Sequence, residues 1–124
     1  MKIISFGWTA PAILARQKFC TRREWNARYA AQFHAGDTCQ AFDRSPRYHG
    51  HRIDLIDLIE DPYLEMSSDI PDQDWHNEGF EYLQSVGAVI NGKEPRILWR
   101  SWKMYPCPLY VIRFKYKEEF RHGS

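Results

Sequence analysis

The chain has 124 residues, 44% hydrophobic, 27% charged and 15% aromatic, with a net charge of +1. The hydrophobic and charged shares are ordinary globular values and the aromatic share is high; the length fits one domain large enough to bury a core without staples. No apolar run approaches the ~18–20 residues that cross a bilayer, so no membrane-spanning helix is expected. Cys20, Cys39 and Cys107 lack CxxC spacing and are odd in number, so neither a zinc motif nor a disulfide ladder is expected. A reducing, cytoplasmic setting follows, and no signal peptide is visible after Met1-Lys2.

The near-zero charge hides an asymmetry. From Ile53 to Gly92 there are ten acids and no Lys or Arg, so that segment is −10. The remainder, with 17 basic residues and six acids, is +11. One positive and one negative region are expected, and a positive region with aromatics suggests RNA or another polyanion. The alternative is that the two halves pair with each other.

Lys2 to Phe6 reads as a strand, rich in β-branched and aromatic residues. Thr9 is placed to cap a short helix, Ala10 to Arg16, with Pro11 in its first turn. That helix runs into the stretch around which the chain is organised. Arg16, Lys18, Arg22, Arg23 and Arg28 accompany a single acid, Glu24. Phe19 to Trp25 reads as a strand, with Phe19, Thr21, Arg23 and Trp25 on one side and Cys20, Arg22 and Glu24 on the other. Asn26 caps a second helix, Ala27 to Ala35, closed by Gly36.

Asp37 to Phe42 and His51 to Ile59 are strands joined by a loop. The apolar residues of the second break strict alternation, which points to a bulge or two-sided burial. Asp61 to Ser68 fits no single element. Asp69 to Glu78 contains a short acidic-started helix, and Gly79 breaks it before Phe80 to Val86. Gly87 to Pro95 is a loop. Arg96 to Tyr105 is a helix whose Arg96, Arg100 and Lys103 share one face, with Leu98 and Trp102 opposite. Leu109 to Tyr116 is the clearest strand. Short helices among scattered strands give an α+β domain over 1–117, with 118–124 a polar tail.

Four stretches together resemble the ASCH domain family of the PUA-like superfamily. They are Ile4 to Leu14, Lys18-Phe-Cys-Thr21-Arg22-Arg23-Glu-Trp25, Trp75-His-Asn-Glu78-Gly79-Phe80, and Trp102 with Tyr110 to Phe114. The second is similar to a K-x-x-T-R-R-x-W signature and the third to a helix ending in E-G-F. The resemblance implies a small, partly open β-barrel with flanking helices, its first and last strands in one sheet. It implies binding of RNA or a modified nucleoside in a cleft. One bacterial branch hydrolyses N4-acetylcytidine with a Lys, a Thr and a Glu, which map onto Lys18, Thr21 and Glu78. The chain departs from the family where Arg16 and Phe19 replace the Gly and Thr of a G-x-K-T turn. It is also longer than that branch through the Gly87–Pro95 insertion.

The residues themselves allow two readings at each position. Lys18 can activate Thr21 if nearby charge or burial lowers its pKa, with Glu78 protonating a leaving amine. Otherwise Lys18 is a phosphate contact, Thr21 a strand residue and Glu78 a counter-ion. Arg16, Arg22 and Arg23 suit nucleic acid, or else they pair with the acidic segment. Trp8 and Trp25 stack on a base or belong to the core. No metal is expected, since the five histidines share no ligand spacing, and no phosphate-loop or dinucleotide motif calls for a cofactor. A protein-interaction module using the acidic 53–92 segment is the alternative of a different class.

Overall fold

The computed structural model describes residues 1–118. The expected polar tail lies outside these apart from Glu118. Six strands form one curled sheet, a half-barrel, with short helices packed around it. The strands are β1 (Lys2–Ser5), β2 (Cys20–Arg23), β3 (Thr38–Phe42), β4 (Arg52–Leu58), β5 (Tyr63–Met66) and β6 (Pro108–Tyr116). The order is β1-β3-β4-β6-β2, with β5 also on β6. Only β1 and β3 run parallel. The first and last strands therefore share a sheet, though β3 and β4 separate them.

Strand β6 is the hub. Its Tyr110 and Val111 pair with β2 on one edge and with β5 on the other. Farther along, Phe114 to Tyr116 pair with β4. A long alternating run of β-branched and aromatic residues suits this two-edged role, because it can bury side chains while both edges hydrogen-bond.

Two apolar clusters fill the fold. One lies on the sheet and includes Ile4, Phe6, Ile13, Phe33, Ile56, Ile112 and Phe114. The other is helical. It gathers Ala12, Phe80 and Leu83 with the partly buried Trp75, Leu98, Trp99 and Trp102. Its helices are α3 (Asp74–Asn77), α4 (Phe80–Ser85) and α5 (Pro95–Met104). Helix α1 (Ala10–Leu14) joins the two, with Ile13 in the first cluster and Ala12 in the second. Helix α2 (Ala27–Ala30) starts where Asn26 accepts from the Tyr29 amide.

Strand β4 has the expected bulge at its start and alternates regularly beyond it. Asp54, Ile56 and Leu58 point inward in regular succession. Asp54 occupies a core position, so the pattern is hidden when only apolar residues are counted. The irregularity is an extra residue on β4 itself: Ala41 faces Asp54 and Phe42 faces Arg52, which leaves Ile53 between them without a partner on β3.

Gly79 fixes how the helical cluster meets the site. It has φ +83°, in the left-handed region, and a Cβ there would lie 2.7 Å from Ala12 Cβ and 3.1 Å from Lys18 Cβ. Both constraints select glycine. Gly79→Ala is expected to cost about 2–3 kcal/mol in urea unfolding, combining strain with a forced shift of α1. A variant as stable as the parent would show that α1 and α4 can separate freely.

Candidate functional site

The loop between α1 and β2 sets the site. After α1, the Arg16 amide donates to the Ile13 carbonyl at 2.9 Å and the Gln17 amide to the Ala12 carbonyl at 2.7 Å. This pair of bonds is a Schellman closure, which wants a left-handed residue at the position Arg16 holds. Arg16 adopts φ +55° without being glycine. Its guanidinium compensates by a two-point ion pair with Asp54, at 3.1 and 3.0 Å, and by lying over the Tyr116 ring. The pair raises the Arg16 pKa above the ordinary arginine value. Arg16 was a candidate nucleic-acid contact; the structure gives it to Asp54. Arg16→Gly should be less destabilising than Arg16→Ala by about 1 kcal/mol, because only alanine retains the left-handed strain while losing the ion pair. Equal thermal denaturation curves for the two variants would rule out that strain.

The reversal delivers Lys18 to the interior, where it is 1% exposed. Its ammonium donates to the Glu78 carbonyl at 2.7 Å and to Glu78 Oε1 at 3.0 Å. The two chain segments are tied further by the Phe19 amide donating to the Asn77 carbonyl at 2.6 Å. Tyr116 Oη donates to the Lys18 carbonyl. Strand β2 then alternates as its sequence indicates. Arg23 Nε donates to Thr21 Oγ1 at 3.1 Å on one face. Cys20 and Arg22 turn to the other, both within reach of Glu78 Oε2.

Arg22 has a side chain with no exposure. It donates to Glu78 at 2.7 Å, to Asp74 at 2.6 Å and to Glu65 at 2.9 Å. Burial opposes the charge, but Glu78 and the other carboxylates more than offset it and raise the pKa further. Its terminal nitrogens are taken by these carboxylates, while among the described residues its buried Nε has no partner. Of the two readings of Arg22, pairing with the acidic segment is the one seen. Arg113 extends the network, holding Asp74 at 3.0 and 2.7 Å. Burial pulls Asp74 upward, yet hydrogen bonds from Arg113, Asn77 and Arg22 bring it down to about 2.

Lys18, Thr21 and Glu78 come together on the wall of one cavity of about 230 Å³. Thr9, Arg22 and Arg23 complete its polar part, and Phe6, Phe80, Leu98 and Trp102 its apolar part. The cavity lies at the seam between the two apolar clusters. Its size is just under the usual ligand-pocket range of roughly 300–1,000 Å³, which suits one ring-sized group. The sequence reading did not single out Phe6, Phe80, Leu98 or Trp102 as site residues. Nor did it find Glu65, Asp74 and Arg113. One signal for Asp74 was present, since it precedes Glu78 by one helical turn.

The two candidate stacking tryptophans stand elsewhere. Trp25 stacks on Phe33 at 4.6 Å and meets Tyr29 edge-on at 4.9 Å, packed against the sheet core. Trp8 is 58% exposed and does not line the cavity, although Phe6 and Thr9 on either side of it do.

Thr21 is the candidate nucleophile with an accessible role. Cys20 is disfavoured, because burial and then Glu78 push its thiol well above the usual range. Among the described residues Lys18 donates to Glu78 and not to Thr21. Thr21 Oγ1 instead accepts from Arg23. Activation of Thr21 by Lys18 thus requires the contact to close when a ligand enters, as catalytic hydrogen bonds commonly do.

Among the described residues no three His, Cys, Asp or Glu side chains gather as a metal site. No described helix is long and apolar enough to cross a membrane. Comparison of the chain with family models, curated proteins and solved structures finds no match.

Proposed function

We propose that this protein is an ASCH-type, PUA-like domain that takes a modified nucleobase, free or in RNA, into the cavity and hydrolyses its acyl amide. N4-acetylcytidine is the substrate the resemblance implies. One observation carries the reading. Lys18 and Thr21, close together in the chain, and Glu78, 60 residues beyond Lys18, line one cavity, and Phe6, Phe80, Leu98 and Trp102 are among its other walls. Aromatic walls suit a flat heterocycle.

The chemistry needs an unprotonated Lys18. A proton passed along the 3.0 Å contact from Lys18 to Glu78 supplies it and makes Glu78 an acid. Thr21 Oγ1 then attacks the acyl carbon, giving its proton to Lys18, while the carbonyl electron pair moves onto oxygen. Collapse breaks the carbon–nitrogen bond, and the departing amine takes the proton from Glu78. The Lys18–Glu78 ion pair is restored. Water cleaves the threonine ester, releasing the carboxylic acid and returning the hydroxyl its proton.

The test is incubation of the full chain with N4-acetylcytidine and chromatography of the products. Cytidine and acetate above a buffer blank are expected. Their absence would remove the hydrolase and leave base binding to be judged by titration of the same nucleoside.

A further inference from the structure

The cations around the cavity are not equally partnered. Glu78, Asp74, Glu65 and the partly exposed Glu60 pair with Lys18, Arg22 and Arg113, and Arg23 stands beside them. The first three cations each have a carboxylate at 2.6–3.0 Å, counting Arg113 on Asp74 at 2.7 Å. Arg23 has none. Its Nε is taken by Thr21 Oγ1, and its guanidinium lies 5.2 Å over the Phe6 ring. Among the described residues its two terminal nitrogens meet no acceptor, and they are not sealed from a ligand. Burial draws its pKa below the ordinary arginine value, whereas partnered Arg22 and Arg113 are raised. Glu78 offsets this only in part, so a partly buried cation with no carboxylate in direct contact is stabilised when a ligand supplies negative charge.

We propose that Arg23 is a binding and catalytic residue of this cavity, taking a negatively charged oxygen of the ligand beside Thr21. That oxygen belongs to a carboxylate, or to the tetrahedral species formed when Thr21 adds to an acyl group. The proposal deepens the hydrolase reading and rests on it for the second of these. The Nε bond to Thr21 Oγ1 anchors the guanidinium next to the attacking atom. The terminal nitrogens then stand near the atom bonded to the acyl carbon under attack, the place where negative charge develops. Phe6 holds the guanidinium plane from behind. A planar fork also grips both oxygens of a carboxylate, so the acid released by hydrolysis should bind at the same point.

Sodium acetate is the probe, titrated into the full chain at constant ionic strength with chloride as the replaced anion. Ligand-observed NMR reads binding, which needs no turnover. The parent should bind acetate. Arg23→Gln should weaken it at least tenfold. Arg23→Lys should fall between the two, since it keeps the charge but loses the fork. Arg100→Gln, on an exposed part of α5 outside the cavity, should bind as the parent does. With N4-acetylcytidine, Arg23→Gln should lower kcat by about 10²–10³-fold with KM little changed, because the contact strengthens in the transition state. No acetate binding by the parent, equal binding by Arg23→Gln, or equal loss in Arg100→Gln would overturn the proposal. Should Arg23→Gln not fold, Arg23→Lys decides alone: parental affinity and parental kcat in that variant also overturn it. Arg23-dependent acetate binding with no turnover by the parent would sink the hydrolase and keep Arg23 as a carboxylate site.

Discussion

Replacing Thr21 with alanine is expected to stop the release of acetate from N4-acetylcytidine. Thr21 is 4% exposed on β2, lines the cavity together with Lys18, and has its hydroxyl held by Arg23. Without that oxygen no acyl intermediate forms. Lys18→Ala should be nearly as severe, and the double variant no worse than either single one, because residues acting as a unit are strongly non-additive. Glu78→Gln retains an acceptor for Lys18 or Arg22 but cannot donate the proton to the amine. A loss on the order of 10²–10⁴-fold is expected there. Initial rates by chromatography check all four, with circular dichroism to confirm the fold. Turnover surviving in Thr21→Ala would mean that an activated water attacks the amide directly.

Asp74→Asn should be the most damaging single change to stability. Asp74 is 1% exposed and accepts from Arg22, Arg113 and Asn77. Neutralising it leaves two guanidinium groups facing each other with only Glu65, Glu78 and the partly exposed Glu60 to balance them. Breaking such a buried pair costs about 3–5 kcal/mol. The pH dependence has a defined sign. Asp74 is held at about 2, below an unfolded value near 4, so its folded pKa is depressed. Its contribution, roughly 2–3 kcal/mol, is fully present above pH ~4 and is lost as pH falls through about 2. Urea midpoints for parent and Asp74→Asn should therefore converge as pH falls from 5 toward 2. A constant gap across that window would mean that Asp74 acts through packing and not through charge.

The sequence showed most clearly what depends on neighbours along the chain. The Asn26 cap, the Gly79 break and the alternation of β2 are each decided within a few residues, and each is present. The α5 face was equally legible, with Leu98 and Trp102 turned to the cavity. What stayed hidden depends on long-range pairing. Arg22 meets Asp74 and Glu78 across 52 and 56 residues, and no local pattern separates that from a solvated basic run. The split between a −10 segment and a +11 remainder suggested two opposed faces. In the structure Asp54, Glu65, Asp74 and Glu78 of the acidic segment turn to Arg16, Arg22, Arg113 and Lys18 instead. The acidic segment therefore contributes part of its charge inside the fold, while Asp69, Asp72 and Glu81 remain exposed. Strand β5 was missed because Tyr63 to Met66 is short and is defined by its pairing with β6.

The convergence of Lys18, Thr21 and Glu78 supports the proposed activity, and where the acyl group sits decides it most directly. The measurement is a crystal structure of the Thr21→Ala protein soaked with N4-acetylcytidine, which that variant should bind without turning over. The expected result is the base packed among Phe80, Leu98 and Trp102, the acyl carbon about 3–3.5 Å from the position of the missing Thr21 oxygen, and the exocyclic nitrogen facing Glu78. Nucleoside bound elsewhere on the protein, or with its acyl group turned away from residues 18, 21 and 78, would contradict it.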